Sequence, residues 1–202
     1  MTSKNKLKKI TVYSLKGGQG KTSLAVAIAK ELDFGIITND IYSPVEKMFS
    51  KEMVLKLEPT WEMPSVDDLK GVEIIFDFGG YLDRRVVPAL EMSDYVIIPV
   101  VDFDTLNAQG FASTVAEVEQ HNKNIIIVLN KIAEEDAKEI RKELKKHNYP
   151  YSVFEIKNSR AFKNMIDDNK PISQYVREGG LKGYIYKTVN DQLTKLIQYI
   201  TK

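Results

Sequence analysis

The chain has 202 residues, 28% of them charged, with a net charge of +1 and no cysteine. Such a length can bury a sizeable core as one domain, 1–202, without covalent staples. The missing thiols exclude disulfides, thiolate zinc sites and iron–sulfur clusters and fit a reducing cytoplasm, while no run approaches the roughly eighteen apolar residues of a membrane span. The basic start leads into a short strand-like run, not the apolar core of a secretion signal.

Residues 9–14 read as a β-rich strand, and Leu24, Ala25, Ile28, Ala29 and Leu32 recur at helical spacing over 21–32. Between them lies Lys16-Gly17-Gly18-Gln19-Gly20-Lys21-Thr22-Ser23. A strand, a glycine-rich loop and a helix in that order make a phosphate-binding loop: the glycines bring backbone N–H groups against phosphate oxygens, and the helix N-terminus adds partial positive charge. Lys21 then reaches the β- and γ-phosphates and the Thr22 hydroxyl ligates Mg²⁺. The strict pattern asks for glycine where Leu15 stands, and Lys16 is a lysine more than the ordinary loop needs.

Further strands are expected over 34–38, 72–76, 95–101, 125–129 and 151–154, alternating with helices over 84–92, 105–121, 134–147 and 184–200. Continuous apolar strands such as Ile125 to Leu129 suit a parallel sheet covered on both faces, so the pattern predicts an α/β fold with helices on both sides of a mostly parallel twisted sheet. Ligands in such sheets sit at the carboxyl ends of the strands. Asp40, after the second strand, can orient or deprotonate an attacking water, or form a turn with Asn39. Asp77, after the strand 72–76, is placed to hold Mg²⁺; Gly80, three residues on, can present its N–H to the γ-phosphate as a switch. Asn130 can pair with a purine edge, with Lys131 along the base, or it caps the next turn. The guanine-reading acid of Asn-Lys-x-Asp is replaced by Ala133, which favours adenine.

Residues 138–202 carry 14 Lys and Arg against 7 Asp and Glu, whereas residues 1–137 carry 15 against 21. The basic end, with Arg177, Lys182, Lys187 and Lys195, suits a polyanion or simply solvates helix faces.

The loop from Lys16 to Ser23 resembles the deviant Walker A loop of the ParA/MinD family, whose signature lysine matches Lys16. Ser93 to Val100, Phe103 to Gly110, Ser159 to Phe162 and Asn169 to Ile172 are similar to later family segments, so the likeness covers nearly the whole chain. It is greatest to the small partition ATPases of plasmids. The resemblance implies a P-loop NTPase that binds ATP and Mg²⁺, with Lys16, Lys21 and Asp40 as catalytic residues. Gly17, Gly18, Gln19, Gly20, Lys21, Thr22, Ser23, Gly80 and Asn130 would bind nucleotide, and Thr22 and Asp77 the metal. It further implies a homodimer sandwiching two nucleotides, with Lys16 reaching into the partner's site. Slow hydrolysis would be stimulated by a ParB-like centromere-binding protein. The ATP-bound form would coat DNA without sequence preference, in a cytoplasmic, nucleoid-associated state with no stable membrane association. Two alternatives stand beside it. One is a MinD-like membrane-surface ATPase using the stripe Ile185, Val189, Leu193, Leu196 and Ile200; the other is a nucleotide-gated scaffold that hydrolyses little. The sequence departs from the family where Asp40 stands without a second aspartate, where Asp77-Phe78-Gly79-Gly80 replaces Asp-x-Pro-Pro, and at Leu15.

Overall fold

The computed structural model describes residues 8–79 and 83–202; Gly80, the expected γ-phosphate contact, lies outside them. Among the described residues seven strands form one sheet: β1 (Lys9–Tyr13), β2 (Gly35–Thr38), β3 (Val54–Lys56), β4 (Ile74–Phe78), β5 (Tyr95–Val100), β6 (Ile125–Ile132) and β7 (Ser152–Lys157). Their spatial order is β3-β2-β4-β1-β5-β6-β7 and every pairing is parallel. The helices are α1 (Lys21–Leu32), α2 (Val86–Met92), α3 (Thr105–His121), α4 (Glu134–Lys146), α5 (Ala161–Asp167), α6 (Ile172–Glu178) and α7 (Gly180–Ile200).

Alternation along the strands separates two cores. Ile10, Val12, Ile126 and Val128 pack with α1, α5, α6 and α7 on one face. Tyr13, Ile125, Ile127 and Leu129 pack with α2, α3 and α4 on the other. Both faces are therefore covered, as the apolar runs require.

Six elements depart most from the sequence reading. The strand expected over 72–76 is shifted to Ile74–Phe78, because Val72 is exposed and Phe78 fully buried, which places Asp77 inside the strand. The strand expected over 125–129 continues to Ile132 through a bulge between Asn130 and Ile132. The three-residue edge strand β3 and the one-turn-and-more helices α5 and α6 are too short to show a period. Finally, α7 starts at Gly180 rather than at 184 and includes Gly183, where a Cβ would lie 2.6 Å from the Tyr175 carbonyl oxygen; the glycine lets α6 and α7 approach.

The stripe on α7 is a core face. Val189, Leu193, Leu196 and Ile200 are at most 1% exposed, whereas Ile185, one turn before Val189, is half-exposed near the exposed Leu181 and Tyr184 at the helix start. The apolar surface assigned to a membrane is thus already packed on the sheet. Among the described residues no helix is long and apolar enough to cross a membrane.

Candidate nucleotide site

Strand β1 is central, hydrogen-bonded to β4 on one side and β5 on the other, so the turn leaving its carboxyl end opens where the sheet's ligands bind. Gly18 and Gly20 turn through left-handed backbone, φ 80° and 74°, and α1 follows at once, its Leu24 N–H bonding to the Gly20 carbonyl at 3.1 Å. Gly17 and Gly18 are exposed; Gly20 is not free to grow a side chain, since a Cβ would lie 2.5 Å from Asn130 Nδ2 and 3.2 Å from Lys131 Cε. Gly20→Ala is therefore expected to force the loop off β6, losing at least about 2 kcal/mol of stability and all measurable ATP binding. Thermal melts and ATP titration of the variant check this.

A cleft of about 310 Å³ lies under the loop, lined by Gly18, Gly20, Lys21, Thr22, Ser23, Asp40, Asp77, Gly79 and Lys131. Loop and sheet thus bring together most of the residues singled out from the sequence. Lys21 is 8% exposed and folds back on the loop, its Nζ donating to the Lys16 carbonyl at 3.1 Å. Burial lowers its pKa, and the Asp77 carboxylate partly offsets that.

Asp77 is 2% exposed, and its Oδ2 has no hydrogen-bond partner among the described residues. Burial pushes its pKa up to about 6, against a hydrogen bond from Thr22 and the charge of Lys21, and Asp40 pushes it up further. A buried carboxylate oxygen without a donor, beside a threonine hydroxyl, is a donor set that fits a hard cation such as Mg²⁺. Asp40 is half-buried on the cleft wall; its N–H donates to Thr38 Oγ1 and its Oδ1 accepts the Tyr42 N–H at 3.0 Å. Asp40 thus closes a turn with Tyr42 and lines the cleft.

Gly17 is exposed on the loop outside that lining, and three further residues sit elsewhere than the cleft. Lys16 leans on α3, its stem so close that a Cβ on Gly110 would lie 3.8 Å from it, and it lines a small hollow with Ser14, Gln19 and Asp102. Gln19 is buried with its Oε1 accepting the Val101 N–H at 2.9 Å, so only its backbone is available to phosphate. Asn130 is 2% exposed, and its Nδ2 donates to the Gln19 carbonyl at 2.9 Å, tying the end of β6 to the loop. A larger cleft of about 720 Å³ adjoins, lined by Lys131, Glu155, Asn158, Thr188 and Gln192 among others, and shares Lys131 with the first.

Sequence reasoning missed a polar chain behind the cleft. The Gly79 N–H donates to Asn39 Oδ1 and Asn39 Nδ2 to Asp83 Oδ2, both at 2.8 Å. Asp83 pairs with Arg85 at 2.7 Å, and Arg85, 7% exposed, also donates to the carbonyls of Leu57, Glu58 and Trp61. Burial pushes the Asp83 carboxyl up, but the bonds from Arg85 and Asn39 outweigh it and hold it at about 2. In sequence, Asp83-Arg84-Arg85 looks like an ordinary solvated helix start; only tertiary contact distinguishes Arg85.

No family model and no curated protein matches the sequence. Solved structures do match the fold. An ATP complex of McdA from Cyanothece aligns with a TM-score of 0.67 at 13% identity over 96% of each chain. A ParA family ATPase from Chlorobium tepidum aligns at 0.61 and 18% identity over 93% of this chain and 98% of its own. The chain has the ParA/MinD fold. The MinD cell division protein of Aquifex aeolicus extends the likeness, with a TM-score of 0.60 and 16% identity over 95% of this chain and 97% of its own.

Within the ParA/MinD fold Arg177 lies on α6 and Lys182, Lys187 and Lys195 lie on α7. Lys182 pairs with Asp168 at 3.1 Å and Lys187 with Asp191 at 2.7 Å, while Arg177 donates to Ser173 Oγ. The two ion pairs are exposed and add little to stability.

Proposed function

We propose that the chain is an ATPase switch of the partition or positioning type, which closes into a homodimer around two ATP molecules and hydrolyses them slowly. One observation carries the reading: the loop has two lysines with separate surroundings, Lys21 in its own phosphate cleft and Lys16 out on α3, away from that cleft. A lysine so placed suits the nucleotide of a facing subunit, where it would neutralise charge developing on the transferred phosphoryl group. Gly17, Gly18, Gln19 and Gly20 offer backbone N–H groups to the phosphates, Ser23 lines the same cleft, and the adjoining larger cleft takes ribose and adenine. Thr22 and Asp77 would hold Mg²⁺, which when bound screens the charge of the phosphates. Asp40 orients the attacking water from the cleft wall, and Gly80 reports the γ-phosphate.

In this reading a ParB-like protein stimulates turnover, and Arg177, Lys182, Lys187 and Lys195 give the ATP-bound dimer a non-specific grip on DNA in a cytoplasmic, nucleoid-associated state. McdA, with the same fold, is known in complex with ATP. Light scattering on the size-fractionated protein with Mg²⁺ and ATP, or with ADP, tests the core of the proposal. A dimer is expected with ATP alone, together with DNA binding that weakens steeply as salt rises. A chain that stays monomeric at saturating ATP would sink the reading.

A further inference from the structure

We infer that Lys131 is a phosphate-binding residue of the nucleotide site, reaching over the loop from β6 and held there by a strained backbone. The inference rests on the ATP reading above and adds to it a ligand contact from outside the loop.

Lysine is an unfavoured choice at this position. Its φ is 56°, in the left-handed region where a Cβ meets the following carbonyl oxygen and where glycine or asparagine is the usual occupant. The distortion has a structural cause. Ile126 and Val128 face the α1 and α7 side, and Asn130 continues that face under the loop; strict alternation would send Ile132 there too. Instead Ile132 is 5% exposed in the opposite core, with Ala137 and Ile140 of α4. The bulge between Asn130 and Ile132 makes the switch, and Lys131 is the residue that absorbs it. The fold therefore requires a bulge here, yet nothing in the packing requires a lysine.

The side chain's position supplies the reason. Lys131 is exposed, and its side chain lies against the loop, with Cε 3.2 Å and Nζ 3.4 Å from where a Cβ of Gly20 would stand. The residue lines both the phosphate cleft and the larger neighbouring cleft, and its ammonium lies beside Gly20 of the first. A nucleotide with its terminal phosphates at Lys21 and its base in the larger cleft carries its α- and β-phosphates past this point. Gly20 N–H and the Lys131 ammonium then form one anion-binding surface, and the strain at Lys131 is the cost of aiming a charge there.

The test uses Lys131→Gly and Lys131→Asn, both neutral and both at ease in left-handed backbone. Calorimetric titration with Mg²⁺ and either ATP or ADP should show affinity about tenfold weaker for both nucleotides, the scale of one lost charge-assisted hydrogen bond. Adenosine, read by displacement of a fluorescent ADP analogue, should bind as in the wild type. The ligand-free variants should melt at or above the wild-type temperature. Unchanged ATP and ADP affinity would overturn the inference, as would an equal loss for adenosine, which would put Lys131 on the base or ribose. A lower melting temperature in both variants would show that the lysine serves the strand instead. Failure of the wild type itself to bind ATP would sink the ATP reading and this inference with it.

Discussion

Lys16→Ala is expected to bind ATP within about threefold of the wild type yet lose roughly 10²- to 10³-fold in turnover, the scale of removing one preorganised donor to a developing phosphoryl charge. The separation follows from what Lys16 does in its own subunit. There it offers a backbone carbonyl to Lys21 Nζ, which alanine retains, while its side-chain stem rests on Gly110 of α3. Mixing Lys16→Ala with Asp77→Asn makes the geometry decisive. If the lysine works across the dimer, a mixed dimer has one complete site: Asp77 and the loop of the first chain with Lys16 of the second. Random pairing should then restore about a quarter of the wild-type rate, whereas a lysine acting within its own subunit restores none. Steady-state ATPase assays over a titration of one variant into the other read this directly.

The loop was legible in the sequence because its chemistry is local. Glycines, lysine and threonine at fixed spacing between a strand and a helix need no tertiary information, and the helix Lys21–Leu32 occurs where the periodicity places it. The alternation of apolar runs with helical periods likewise carried the layered α/β architecture. What was not legible depended on contacts between distant segments. Asn130 has the composition of a base reader, but its bond to Gln19, more than a hundred positions away, and the bulge that follows it leave no sign in the order of residues. Arg85 and Asn39 are invisible for the same reason. Their roles exist only because β2, β4 and the segment 57–61 converge behind Gly79. Along α7, helical spacing alone joined Ile185 to a stripe whose other members face the sheet. The pattern identified the helix correctly but carried its buried stripe one turn too far toward the helix start.

Asp77→Asn is expected to stabilise the ligand-free protein while removing Mg²⁺-dependent hydrolysis, a pairing that ordinary core substitutions do not produce. The sign follows from the raised pKa. Burial favours the neutral carboxyl and moves its titration from near 4 in the unfolded chain to about 6 in the fold. Between those values the folded state binds the extra proton, so the stability this gives is present in full below the unfolded pKa and is lost as pH rises through about 6. At pH 7.5 the native state therefore holds a buried carboxylate whose Oδ2 lacks a donor. Asparagine is neutral throughout. It should raise the unfolding free energy by about 1–3 kcal/mol at pH 7.5 and by little at pH 4, flattening this part of the pH dependence. Mg²⁺ and ATP should reverse the order, because the wild type then gains a ligand set that the variant lacks, and that gain should shrink below pH 6 as protons compete for the carboxylate. Urea unfolding at pH 4, 6 and 7.5, with and without Mg²⁺ and ATP, measures all of these. A variant less stable than the wild type at pH 7.5 without ligand would mean that the charge on Asp77 holds the fold together through Lys21 and Thr22, leaving no strain for a cation to relieve.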